Sequence, residues 1–129
     1  MKSNKIFWAL AIILAVFFGM QQLQAADGVD VKQAQSMNMQ GALLLDVREP
    51  DEYSAVHATN AKLIPLGQLE SRLQEIATYK DQPVVVICRS GRRSAQAVSM
   101  LKEAGYSQVS NVKGGTNAWE KEGLSVVRM

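Results

Sequence analysis

The sequence predicts an α/β domain: a mostly parallel sheet with helices packed on both sides. Three observations predict it. Short apolar runs alternate with helical patterns along the chain, the order expected of strand–helix units. Those runs are mostly apolar at successive positions rather than at every second one, as in strands buried on both faces. Polar or glycine-containing clusters follow the strands directly, which is where ligands bind in such sheets, beyond the carboxyl ends of the strands.

Taken in order, Val31 to Met39 forms a helix, and Ala42-Leu43-Leu44-Leu45 forms a strand leading into Asp46-Val47-Arg48-Glu49. Leu63-Ile64 is a short strand before Pro65-Leu66-Gly67. Leu66, Leu69, Leu73 and Ile76 recur at spacings of three and four, marking one face of an amphipathic helix. Val84-Val85-Val86-Ile87 is a buried strand that ends in Cys88. Ala97, Val98 and Leu101 give the core face of the next helix, with Gly105 placed to end it at the C′ position. Val109 to Val112 is a strand before Gly114-Gly115, and Thr116 to Lys121 is the last helix. The clusters at Asp46, Pro65, Cys88 and Gly114 therefore predict one pocket with Cys88 at its floor.

The first twenty-five residues stand apart from this pattern. Lys2 and Lys5 precede the apolar run Ile6 to Met20, and Leu23-Gln24-Ala25 ends in small residues, the layout of a cleaved signal peptide. The expectation is a single domain over residues 26–129 in the periplasm, soluble once the leader is removed. The alternative is an uncleaved anchor in the inner membrane facing the periplasm, although the apolar run falls short of the roughly 20 residues that span a bilayer. Two of the fourteen basic residues lie in the leader and none of the twelve acidic ones does, so the domain itself is neutral. A neutral domain gives no ground for a nucleic-acid partner.

Cys88 is the only cysteine, so the chain forms no internal disulfide. It opens the run Cys88-Arg89-Ser90-Gly91-Arg92-Arg93-Ser94. A strand that ends in a cysteine, then a loop with glycine and three arginines, then a helix, is built to hold an anion against a thiolate. Strand-to-helix turns aim backbone N–H groups inward, and the helix N-terminus adds partial positive charge. Such surroundings lower a thiol pKa from about 8.5 into the range of about 3.5–7.5. The competing view is a buried structural cysteine, which has no need of three neighbouring cations. One cysteine and one histidine far apart do not make a metal site, and no cofactor is expected.

Three segments together resemble the rhodanese domain of sulfurtransferases, from about Val29 to Val127. They are Leu45-Asp46-Val47-Arg48-Glu49-Pro50-Asp51-Glu52-Tyr53 with His57, Ala61 and Pro65 downstream, the Cys88–Ser94 loop, and Gly114-Gly115 followed by Trp119. The resemblance implies a five-stranded parallel sheet, a catalytic cysteine at Cys88 and a persulfide intermediate. One departure is visible. The family usually has glycine before the motif histidine and an Ile-Pro-Gly type of sequence after it, whereas this chain reads Val56-His57-Ala58-Thr59-Asn60.

On this reading Cys88 is the nucleophile, and the substrate-binding loop comprises Arg89, Ser90, Gly91, Arg92, Arg93 and Ser94. Arg93 faces the anion or braces the loop. Arg89 and Arg92 steer anionic donors or are solvated surface cations. Ser94 donates its hydroxyl to the sulfur or caps the helix. Asp46, Arg48 and Glu49 read as a structural ion cluster that fixes the strand end, or as a charged pocket rim. His57 is a motif residue of a loop rather than a base, and Trp119 packs in the core or along the pocket wall. The expected partners are a small anionic sulfur donor and a thiol or cyanide acceptor, and a monomer is expected. Two alternatives remain in view: a phosphatase or arsenate reductase on the same fold, and a non-catalytic persulfide carrier for a partner protein. Phosphatase loops of the tyrosine-phosphatase kind place five residues between cysteine and arginine, and here four separate Cys88 from Arg93.

Overall fold

The computed structural model describes residues 28–129, so the leader and its cleavage site lie outside the described residues. Asp30 starts the first helix by accepting the Gln33 N–H at 2.7 Å, which satisfies one of the helix's orphan donors. The elements that follow are α1 (Val31–Met39), β1 (Leu43–Asp46), α2 (Pro50–Ala55), β2 (His57–Ala58) and β3 (Lys62–Leu63). Two stretches of 3-10 helix, Leu66–Gln68 and Glu70–Tyr79, lead to β4 (Val84–Ile87). The chain ends with α3 (Arg92–Glu103), β5 (Val109–Asn111), α4 (Gly115–Lys121) and β6 (Val126–Val127).

The main sheet is parallel throughout, in the order β3-β1-β4-β5. A parallel bridge between Val29 and Val112 lies outside the named strands and stands where a fifth would. The register of β1 on β4 pairs Leu43 to Asp46 with Val84 to Ile87. That register sorts the apolar side chains by parity, since successive residues of a strand face opposite sides. Leu43, Leu45, Val84 and Val86 join one core with Ala97 and Leu101 of α3 and with Leu69 and Ile76. Leu44, Val85 and Ile87 join the other with Val31 and Ala34 of α1 and Trp119 of α4. Cys88 continues the parity of Val84 and Val86, so it emerges on the α3 side.

Trp119 belongs to the core: it is 1% exposed and donates its indole N–H to Ser125 O at 2.8 Å. The small antiparallel pair β2–β6 ties His57 and Ala58 to Val127 and Val126. Helix α3 ends as expected at Gly105, which has a φ of 95° and follows the C-cap Ala104.

The amphipathic α-helix expected over Leu66 to Ile76 is not formed. The face is as read, with Leu69 and Ile76 fully buried and Leu66 and Leu73 packed against them, but the backbone is 3-10. Its turns close on three-residue bonds, from Gln68 N to Pro65 O, Leu69 N to Leu66 O and Arg72 N to Leu69 O. Arg72 and Ile76 interrupt the winding with φ near −120° and ψ near 16°. The physical reason is alignment. A 3-10 helix repeats every three residues, so unbroken winding would carry a pattern spaced three, four, three away from the core, and each interruption resets it.

Candidate active site

The Cys88 loop is folded around its own sulfur. Gly91 N–H donates to Sγ at 3.1 Å, and Ser94 Oγ lies 3.2 Å from it. Gly91 is the residue before α3 and has a φ of 112°, a left-handed conformation that side-chain-bearing residues rarely adopt. That turn sends the chain into α3 with the Ser94 N–H directed back at the sulfur. Burial pushes the Cys88 thiol up. The Ser94 hydroxyl and the backbone N–H groups of Ser94, Gly91 and Ser90 outweigh it, and the thiol lies below its ordinary value. Cys88 is 1% exposed and Ser94 is fully buried.

Two elements far along the chain hold the loop from behind. Thr116 N donates to Cys88 O at 2.8 Å and Thr116 Oγ1 to the same oxygen at 3.1 Å, while Asn117 N donates to Arg89 O at 3.1 Å. Helix α4 thus spends its first free N–H groups on the loop carbonyls. Gly115 makes the approach possible, because a Cβ there would collide with Cys88 O and lie 2.6 Å from Arg89 O. From the end of β5, Asn111 donates Nδ2–H to Gly91 O at 3.1 Å and faces Ser94 Oγ with Oδ1 at 2.6 Å.

Of the three loop arginines, Arg93 has a fixed partner. Its Nη1 and Nη2 donate to the two carboxylate oxygens of Glu52 at 2.7 and 2.8 Å. This fork ties the first turn of α3 to α2. It holds Glu52 at about 2 against an ordinary 4.5, with the Glu49 N–H adding a bond at 3.0 Å, and raises Arg93 above its ordinary value. Arg93 therefore braces the loop. Arg89 and Arg92 are exposed. Arg89 lines a cleft of about 210 Å³ with Arg48, Glu52, Thr116 and Asn117 among its neighbours. Cys88 is not in that lining, so the sulfur is shielded by its own loop rather than lying at this cleft's floor.

Asp46 and Arg48 form a buried pair, 0% and 3% exposed. Arg48 Nε and Nη2 donate to Asp46 at 2.8–3.1 Å, and Nη2 also donates to Val56 O at 2.7 Å. The pair locks the end of β1 to the chain entering β2. His57 stacks on Tyr53 with ring centroids 3.6 Å apart, and its Nδ1 lies 2.8 Å from Tyr53 O. The loop that departs from the family pattern turns at Asn60, which has a φ of 71°, a conformation asparagine tolerates better than most residues. Sequence reasoning assigns no role to Glu52, Thr116 or Asn111. Glu52 stood within the motif region and Thr116 directly after Gly114-Gly115, but nothing in the sequence announces Asn111.

A parallel α/β sheet with a cysteine loop at its carboxyl edge, closed by a strand-to-helix turn, defines a class of small thiol-centred domains. The chain belongs to the family of the Rhodanese-like domain, which matches residues 30–122. It is 41% identical over 85 residues to a sulfurtransferase of Allochromatium vinosum, covering 66% of this chain and 78% of that protein. It is 34% identical to the thiosulfate sulfurtransferase GlpE of Pseudomonas fluorescens, covering 68% and 79%. Among solved structures, the rhodanese-related protein of Thermoplasma volcanium superposes with a TM-score of 0.71 at 31% identity, covering 79% and 98%.

Proposed function

We propose that the protein is a sulfurtransferase that carries a sulfane sulfur on Cys88 and takes it from thiosulfate or a related anionic donor. The observation that carries the reading is the set of donors on the buried sulfur, Gly91 N–H at 3.1 Å and Ser94 Oγ at 3.2 Å. They stabilise a thiolate without a metal or a base. In the forward step that thiolate attacks the outer sulfur of the donor. A Cys88 S–S bond forms, the donor's S–S bond breaks, and sulfite leaves with its electron pair. An acceptor thiolate or cyanide then attacks the outer sulfur of the persulfide and returns the thiolate to Cys88.

The Arg93–Glu52 fork counts against the phosphatase alternative. A phosphoryl-transfer loop needs its arginine free to grip two oxygens of the substrate, and here both guanidinium nitrogens of the fork hold Glu52. Intact-mass measurement tests the proposal. Incubation with thiosulfate should add about 32 Da, the mass of one sulfur. Cyanide should remove it, and Cys88→Ser should never acquire it. Faster hydrolysis of an aryl phosphate than transfer of sulfur would overturn the assignment. Persulfide that forms from thiosulfate but is released only to a protein thiol, never to cyanide, would make the chain a carrier.

A further inference from the structure

Ser94 has one hydroxyl proton and two acceptors. Cys88 Sγ lies 3.2 Å from its oxygen and Asn111 Oδ1 lies 2.6 Å from it. The orientation of the Asn111 amide follows from its other contact. Nδ2 donates to Gly91 O at 3.1 Å, and a flipped amide would set one carbonyl oxygen against another. Oδ1 therefore faces Ser94 as an acceptor.

With Cys88 protonated, the groups form one directed chain. The thiol donates to Ser94 Oγ, Ser94 donates to Asn111 Oδ1, and Asn111 donates to Gly91 O. Every acceptor is satisfied. With Cys88 ionised, the sulfur needs the Ser94 proton, and Ser94 Oγ and Asn111 Oδ1 are left as two acceptors 2.6 Å apart. An unsatisfied pair of this kind opposes ionisation. We propose that Asn111 is a positioning residue that holds the Ser94 proton and thereby restrains the ionisation of Cys88. The inference rests on Cys88 being the reactive thiol.

Ser94 is the right lever, because its hydroxyl leads the donors that offset the burial of the sulfur. The restraint has a chemical use. A thiolate loses nucleophilicity as its pKa falls, and the best attacking thiol has a pKa near the ambient pH. Opposing part of the donation from Ser94 limits how far the thiol falls below its ordinary value.

Among the charged groups on the elements packed around the loop, Arg93 feels the Cys88 charge, but the donors that lower the thiol most are neutral. Arg93 of α3 is paired with Glu52 of α2, and Asp46 and Arg48 at the end of β1 are paired with each other. Arg89 and Arg92 of the loop and Lys113 after β5 are exposed. Asn111 of β5 and Thr116 of α4 carry no charge.

Titration of the single thiolate by its absorbance near 240 nm tests the inference without any sulfur transfer. Asn111→Leu, which removes both amide contacts, should lower the thiol midpoint by about half to one pH unit, the size of one neutral hydrogen bond. Ser94→Ala should raise it, and adding Asn111→Leu to Ser94→Ala should change nothing further. Asn111→Asp keeps the acceptor and makes it stronger, so it should raise the midpoint, and by more when Ser94 is present than in Ser94→Ala. This second variant decides the matter if Asn111→Leu does not fold. A midpoint that Asn111→Leu leaves unmoved or raises, or shifts equally with and without Ser94, would overturn the inference. If the midpoints move as stated while thiosulfate adds no mass to Cys88, the proton competition stands and the sulfurtransferase reading falls.

Discussion

Replacing Gly115 with alanine puts a methyl group where the carbonyl oxygens of Cys88 and Arg89 already stand. The cost has two separable parts. Gly115 has a φ of 55°, and a side chain in left-handed backbone costs about 1–2 kcal/mol. The second part is steric. The new Cβ would lie 2.6 Å from Arg89 O and closer still to Cys88 O. Restoring ordinary contact requires the loop and α4 to separate by roughly half to one ångström. That stretches the bonds from Thr116 to Cys88 O, now 2.8 and 3.1 Å, and displaces the donors around the sulfur. A misplacement of about 1 Å costs about a hundredfold in rate, equivalent to about 2.7 kcal/mol of barrier.

Gly115→Ala should therefore lower sulfur transfer from thiosulfate to cyanide by about one to two orders of magnitude. It should also lower the melting temperature by roughly 4–16 °C from the strain alone. Gly123→Ala is the control, since its φ is 72° and a Cβ there meets nothing within 4 Å. It should show the melting loss without the rate loss. Natural transfer and natural melting in Gly115→Ala would refute the reasoning. So would a rate loss in Gly123→Ala as large as that in Gly115→Ala, because the steric part would then have no role.

Three further outcomes follow from side-chain pairs of the domain. Arg93→Ala should reduce transfer by about ten- to a thousandfold. Glu52→Gln should reproduce much of that loss, with the double variant no worse than the more damaging single one, because each partner acts through the other; additive losses in kcat/KM would show that Arg93 meets the donor directly. The same pair gives a pH dependence. Glu52 sits at about 2 against 4.5, so its contribution to stability is full above about pH 4.5 and is lost as pH falls towards 2. The side chains are 34% and 27% exposed, so solvent screening limits the contribution to about 1 kcal/mol. Melting curves of the natural protein and Glu52→Gln should converge through that acid window, and a constant gap would contradict the assignment. His57→Ala removes a buried ring stacked on Tyr53, and should lower the melting temperature while leaving kcat nearly unchanged. A pure rate loss with unchanged melting would make His57 part of the chemistry.

What the sequence revealed divides along a physical line. Strands β1 and β4 were legible because Leu43 to Asp46 and Val84 to Ile87 are buried on both faces, and short apolar runs bounded by polar clusters are what a sheet covered on both sides makes. Helix α3 was legible because its core face and its C′ glycine agree. The segment from Leu66 to Tyr79 was half legible. Periodicity reports which residues face the core, and 3-10 turns with two interruptions produce the same face as an α-helix. At the site, the positions of Ser90, Gly91 and Ser94 around the sulfur follow from local chain geometry, so the spacing in the loop was enough. The bond of Ser94 to Asn111, the fork of Arg93 to Glu52 and the grip of Thr116 on Cys88 O join residues 17, 41 and 28 positions apart. Only the order of strands in the sheet brings these together. No local pattern encodes it.

The loop's three arginines give a misleading impression of how the thiolate is held. Two of them are exposed, where water and salt screen their charge, and the third is neutralised by Glu52 at 2.7 and 2.8 Å. What lies closest to the sulfur are dipoles: the N–H groups of the turn, fixed by the fold, and the Ser94 hydroxyl, whose proton Asn111 also draws. The fixed N–H dipoles need no rearrangement when charge leaves Sγ for the outer sulfur of a persulfide. A cation bound to Sγ would oppose that shift and hold back the first half of the cycle. For the proposed sulfur transfer, Arg93 paired with Glu52 of α2 is therefore better placed as a brace than it would be as a counter-ion, and Glu52 is the residue that holds it there.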